Sequence, residues 1–134
     1  MYVETDFLIA LTSSDDWLHD QAVESLQTRE DIHTSLLSYL EFLAQAYDPV
    51  TGVPFDVPRV VANLLEEVPI DPRSDEEVAV AAATYLNEHS ITLFNAFHGA
   101  ISAMNDEEIH SSDQVYDAIG LTRIPLEPPR PNDS

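Results

Sequence analysis

The chain has 134 residues, 44% of them hydrophobic, which suits one globular domain that folds without staples. It contains no cysteine, which excludes disulfides, thiolate catalysis and cysteine-based zinc sites. Its 25 acidic residues stand against 5 basic ones, for a formal net charge of −20, so the basic footprint of a high-affinity phosphate-reading protein is missing.

In chain order, Met1–Glu4 reads as a short strand, followed at once by an apolar helical turn over Phe7–Leu11. A polar loop, Thr12–Asp16, leads to a predicted helix over Trp17–Gln27, with Leu18, Ala22 and Leu26 four residues apart. Ile32–Thr34 reads as a second strand, and Ser35 as the N-cap of a long helix, Leu36–Tyr47. Asp48–Asp56, with two prolines and a glycine, reads as a loop. Pro58 suits the first turn of a helix ending at Glu67. Val68–Ile70 reads as a third strand, which Pro69 confines to an edge. A helix over Ser74–Asn87 opens on Ser74, with Asp75, Glu76 and Glu77 placed to suit the helix dipole. Phe94–Met104 reads as a helix, Glu108–Ser111 as a strand, Ser112–Ile119 as a short helix closed by Gly120, and Thr122–Leu126 as the last strand. The alternation predicts a three-layer α/β/α sandwich around a mostly parallel sheet. The domain is expected over 1–126, with 127–134 a proline-rich, frayed tail.

All five basic residues are arginine (Arg29, Arg59, Arg73, Arg123 and Arg130), and lysine is absent. Self-repulsion on this scale destabilises a compact state in dilute buffer and is screened at about 1 M salt, where the Debye length is roughly 3 Å. Lysine depletion with acids spread along the whole chain points to adaptation to high salt; a generically acidic protein or an acidic partner-binding surface is the alternative. No stretch approaches the roughly 20 apolar residues that span a bilayer. Met1–Glu4 lacks the regions of a signal peptide, so a cytoplasmic protein with no membrane association is expected.

Parallel sheets bind ligands outside the carboxyl ends of their strands. There the sequence places Glu4 and Asp6 after the first strand, Glu41 on the helix that follows the second, and Ser111, Ser112 and Asp113 after the penultimate one. Asn95 opens a further helix that can join them. Glu41 lies in a helix apolar nearly all round, where a carboxylate is costly unless paired, protonated or metal-bound. Converging carboxylates suit a hard cation, Mg2+ or Mn2+. The constellation therefore reads as metal-assisted phosphodiester hydrolysis.

These residues resemble the PIN-domain family over almost the whole chain. Tyr2–Leu11 is similar to its first motif, where a strand ends in aspartate–threonine–asparagine. Thr34-Ser35 with Glu41 resembles the second. Phe94-Asn95-Ala96-Phe97-His98-Gly99-Ala100 resembles the third, and Ser111-Ser112-Asp113, with Tyr116–Leu121 and Arg123–Leu126, the fourth and the closing strand. The resemblance, to VapC-like toxins of haloarchaeal type, implies an endoribonuclease cleaving single-stranded RNA, a small antitoxin partner and a homodimer. It makes Glu4, Asp6, Glu41, Asn95 and Asp113 catalytic, with Glu4, Asp6, Glu41 and Asp113 binding metal and Ser112 and His98 meeting substrate. Glu4 stands where the family has aspartate, Asp6 where it has asparagine, and Asn95 where it has the third acid. Asn95 motivates the alternative, a PIN-fold binding module with weakened or lost catalysis.

Blander roles stand beside these. His98 can be a packed, hydrogen-bonded histidine, Ser112 a helix cap and Asp117 a solvated acid rather than an outer ligand. Arg59 and Arg123 can grip RNA or form surface ion pairs, and Trp17 is expected in the core or a dimer interface. Rival acid-using folds lack their signatures: there is no glycine–lysine pair for a P-loop, no lysine for a receiver domain, and no Gly-x-Ser-x-Gly elbow for a serine hydrolase.

Overall fold

The computed structural model describes residues 1–50, 56–71 and 75–129. Tyr2 and Val3, an aromatic and a β-branched residue, form the central strand β1 (Tyr2–Val3). It pairs in parallel with β2 (Ile109–Ser111), which pairs in parallel with β3 (Arg123–Pro125). On the other side of β1, single parallel bridges join Tyr2 to His33 and Thr34 to Ile70. The segments expected as strands at 32–34 and 68–70 therefore contribute bridges rather than full ladders. Pro69 sits on the outer edge, where its missing N–H is tolerated.

Seven helices are described: α1 (Thr5–Thr12), α2 (His19–Thr28), α3 (Leu36–Ala46), α4 (Val57–Glu67), α5 (Glu76–Glu88), α6 (Leu93–Met104) and α7 (Val115–Ala118). Adjacent strand residues point to opposite faces of a sheet, and β1 divides the interior accordingly. Val3 enters a core built with α1–α4, including Phe7, Leu8, Ala22, Phe42 and Leu64. Tyr2 enters a second core built with α5–α7, including Val78, Ala82, Ala100, Ile101 and Tyr116. This is the predicted α/β/α sandwich.

Several boundaries differ from the sequence reading, each for a local reason. β1 stops at Val3 and α1 starts at Thr5, so Glu4 is the N-cap residue of α1 and Asp6 lies in its first turn. Asp75 rather than Ser74 caps α5, its carboxylate accepting from the Val78 N–H at 3.2 Å; Ser74 lies outside the described residues, as do 51–55 of the expected loop and 130–134 of the tail. Thr92 caps α6 by accepting from the Asn95 N–H, which starts that helix one residue early. The helix expected over Ser112–Ile119 shrinks to α7, because the Ser112 and Asp113 side chains turn back to bind neighbouring groups. Gly120, at φ +85°, closes α7 in the left-handed region that glycine tolerates best. Trp17 precedes α2 and is 65% exposed, so it is not a core residue. α3 is not enclosed on all sides either: Leu36 and Leu40 are exposed on one flank.

Gly99 shows how tightly the layer of α6 and α7 is packed. A Cβ at this position would lie 3.1 Å from Ile119 Cδ1 and 3.2 Å from Leu121 Cδ1. Gly99→Val, with two further methyl groups to place, is expected to destabilise the fold by about 1–3 kcal/mol, read as a lower midpoint in denaturant unfolding in molar KCl.

Candidate active site

The site lies where β1 and β2 end. Glu4 follows β1 directly and is 8% exposed; its carboxylate accepts a hydrogen bond from the Tyr116 hydroxyl. Tyr116 is fully buried, and its hydroxyl also lies 3.3 Å from Asn95 Oδ1. The Asn95 amide donates through Nδ2 to Asp113 Oδ2 at 3.2 Å. The other Asp113 oxygen accepts from the Val115 N–H at 3.0 Å. One polar chain thus runs from Glu4 through Tyr116 and Asn95 to Asp113.

Asp6 is fixed from the β2 side. Its Oδ2 accepts from the Ser112 N–H at 2.9 Å and the Ser112 hydroxyl at 2.7 Å. Ser111 Oγ lies 3.4 Å from the same oxygen and accepts from the Asp113 N–H at 3.0 Å. Ser112 is therefore no helix cap: Gln114 holds that position for α7. Asp6 Oδ1 is buried and makes no hydrogen bond.

Glu41 reaches the site from α3, with its side chain 20% exposed. It accepts from His98 Nε2, and His98 Nδ1 lies 2.6 Å from the Tyr2 hydroxyl. His98 is 1% exposed with both ring nitrogens engaged, which is the packed arrangement weighed above. Arg123 supports the floor of the site: it donates to the Ser111 carbonyl at 2.9 Å and pairs with Glu127 and Asp117. The exposed Asp117 carboxylate is thus paired with Arg123. Arg59 is exposed on α4.

The electrostatics follow from burial and crowding. Burial, with the Asp6 charge next and those of Asp113 and Glu41 behind it, lifts the Glu4 carboxyl to about 8 against the hydrogen bond from Tyr116. Burial also raises Asp6, opposed by its hydrogen bonds from Ser112. Burial, followed by the Glu4 charge, raises the Tyr116 hydroxyl well above its ordinary range, so it serves as a hydrogen-bond donor.

These features bear on a metal. The donors are all oxygens, the set that Mg2+ and Mn2+ prefer. The unpartnered Asp6 Oδ1 and the mutually repelling carboxylates are what a cation would satisfy. Yet among the described residues no three acidic or histidine side chains are drawn close enough to hold a metal ion. Glu4, Asp113 and Glu41 each spend an oxygen on Tyr116, Asn95 and His98 instead. The donor chemistry fits a hard cation, whereas the carboxylates stand hydrogen-bonded apart.

The structure brings Glu4, Asp6, Glu41, Asn95 and Asp113 together near the carboxyl ends of β1 and β2, and it adds groups that hold them which the sequence does not single out. Tyr2 and Tyr116 fall within a predicted strand and a predicted short helix, and the sequence reading gives neither a part in the site. Ser35 was expected as a cap, yet its side chain makes no capping bond and lies 2.9 Å from the Tyr2 hydroxyl.

The chain matches the PIN domain over residues 1–120 and belongs to that family. No curated protein sequence matches it. Its fold is shared with a toxin–antitoxin complex from Klebsiella pneumoniae, at 16% identity and a TM-score of 0.71, covering 93% of this chain and 96% of that one. FitAcB from Neisseria gonorrhoeae aligns at 15% identity and a TM-score of 0.70, over 93% and 96%. VapC20 from Mycobacterium tuberculosis, a sarcin–ricin-loop-cleaving toxin, aligns at 17% identity and a TM-score of 0.68, over 90% and 95%.

The lifted Glu4 gives a pH signature in the absence of divalent ions. Folding favours its protonated form, so this contribution to stability is fully present below the ordinary value of 4.5 and is lost as pH rises through about 8. Between pH 5 and 8 in molar KCl, Glu4→Gln is expected to gain stability relative to the natural protein, on the order of a few kcal/mol by pH 8. Equal pH dependence of the two proteins in urea titrations would contradict this.

Proposed function

We propose that this chain is a metal-dependent endoribonuclease acting on single-stranded RNA, the toxin of a toxin–antitoxin pair. The observation that carries the reading is the gathering of Glu4, Asp6, Glu41 and Asp113 at the carboxyl ends of parallel strands, close enough for the other three to raise the Glu4 carboxyl. Membership of the PIN family and likeness in fold to toxins and toxin–antitoxin complexes support it. A small antitoxin protein and a second copy of the chain are the proposed partners, and a salt-rich cytoplasm the proposed setting. Among the described residues no helix is long and apolar enough to cross a membrane.

Glu4, Asp6, Glu41 and Asp113 would hold Mg2+ or Mn2+. When bound, such an ion supplies a water of lowered pKa and stabilises charge on the transferring phosphoryl group. The protein's own part is to hold the carboxylates. Ser112 orients Asp6 by two donors, and is the residue proposed to meet a substrate phosphate. Asn95 holds Asp113 through its amide without adding a charge. A phosphate backbone and a chain of net charge −20 repel each other, and both the cation and high salt reduce that repulsion.

Asn95 also favours a second reading, a binding module with weakened catalysis. An aspartate there would lose the donor to Asp113 and add a carboxylate to the cluster. Both readings are tested by cleavage of a fluorescent single-stranded RNA with Mn2+ in molar KCl. The nuclease reading expects cleavage by the natural protein, abolished by Asp6→Asn and by a chelator. An inactive natural protein together with an active Asn95→Asp variant would favour the binding module.

A further inference from the structure

We propose that His98, Tyr2 and Ser35 are positioning residues that act through Glu41, forming a buried polar relay that sets where its carboxylate stands. The proposal rests on the reading of Glu41 as a metal ligand.

The relay joins three elements. Ser35 immediately precedes α3, Tyr2 lies on β1, and His98 lies on α6 one turn beyond Asn95. Ser35 Oγ is 2.9 Å from the Tyr2 hydroxyl, which is 2.6 Å from His98 Nδ1, and His98 Nε2 contacts Glu41. Ser35 and Glu41 are both tied to α3, so the relay closes a loop that pins this helix at its start and on its second turn. A carboxylate only accepts hydrogen bonds, so the hydrogen between His98 and Glu41 resides on Nε2. Glu41 has several rotatable bonds and a fifth of its side chain exposed; without His98 nothing else among its described hydrogen bonds would orient it.

Burial explains why the relay is costly to keep. Tyr2 is 0%, Ser35 1% and His98 1% exposed. Buried polar groups gain little over well-packed apolar ones unless every member is satisfied. Here each is satisfied, and the series, which crosses from His98 on α6 to α3, ends on the carboxylate of Glu41. Tyr2 and His98 also lie ring against ring, with centroids 5.8 Å apart and planes tilted by 46°. A mere space-filling role needs only those rings. The hydroxyl and the imidazole nitrogens are needed to aim Glu41.

The decisive variant is Tyr2→Phe, which removes one oxygen and keeps the ring. Mn2+ affinity is measured by calorimetry in molar KCl, alongside thermal unfolding, for the natural protein and for Tyr2→Phe. The expected result is cooperative unfolding of both, with Mn2+ binding weakened about tenfold or more in the variant, the usual cost of losing a hydrogen-bonding support behind a ligand. Affinity within twofold of the natural protein would overturn the proposal. Long-range 1H–15N spectra of the metal-free natural protein give a second readout that needs no variant: His98 is expected to carry its hydrogen on Nε2, and a bare Nε2 would overturn the relay even if Tyr2→Phe failed to fold. Failure of the natural protein to bind Mn2+ at all would bring down the nuclease reading, and this proposal with it, before any substitution is compared.

Discussion

Glu4 carries a carboxylate into the interior at the end of the central strand, where water is excluded and three other acids stand nearby. Much of the surrounding architecture can be understood from that one placement. The strand must end at Val3 so that Glu4 can turn into the N-cap position of α1, which in turn sets Asp6 in the first turn of that helix and within reach of Ser112. Tyr116 must be buried on α7 to offer Glu4 a hydroxyl, and the residues that follow α7, Ile119 and Leu121, pack closely against Gly99 of α6. The same packing brings Asn95 between Tyr116 and Asp113.

The supports are of two kinds. Asp6 is held by donors at the end of β2 and just after it, a longer one from Ser111 and two from Ser112, which leave one oxygen buried and unpaired. Asp113 and Glu41 are held by side chains on α6, one turn apart. α6 is therefore the element that keeps acids from opposite sides of the site in register. An aspartate at position 95 would set like charges against each other there; the asparagine that this chain carries links them instead. In a chain with 25 acidic residues and no lysine, an uncharged donor is one of the few means of pairing a carboxylate.

The layered fold was legible because it rests on spacing, in alternating strand and helix signals; the proximity of Glu4, Asp6 and Asp113 follows from acids that fall just after strands, while Glu41 and Asn95 come from helices α3 and α6. The edge of the sheet was less legible, since His33, Thr34 and Ile70 make bridges whose existence depends on tertiary approach rather than on a local run. The supporting side chains were least legible of all. Ser35 carries the local signature of a cap, and Tyr2 and Tyr116 that of core aromatics; only the three-dimensional path from Ser35 to Glu41 shows that their hydroxyls face polar partners. For Trp17 the core half of the expectation fails, because an aromatic at the start of an amphipathic stretch reads as interior while α2 begins only at His19 and leaves it exposed.

The central claim is that the acids at the strand ends form a cation site. It is tested most directly by titrating Mn2+ into the natural protein and into Asp113→Asn by calorimetry in molar KCl. Saturable binding by the natural protein, lost or greatly weakened in the variant, is the expected result. Absence of binding by the natural protein, or equal binding by both, would contradict it.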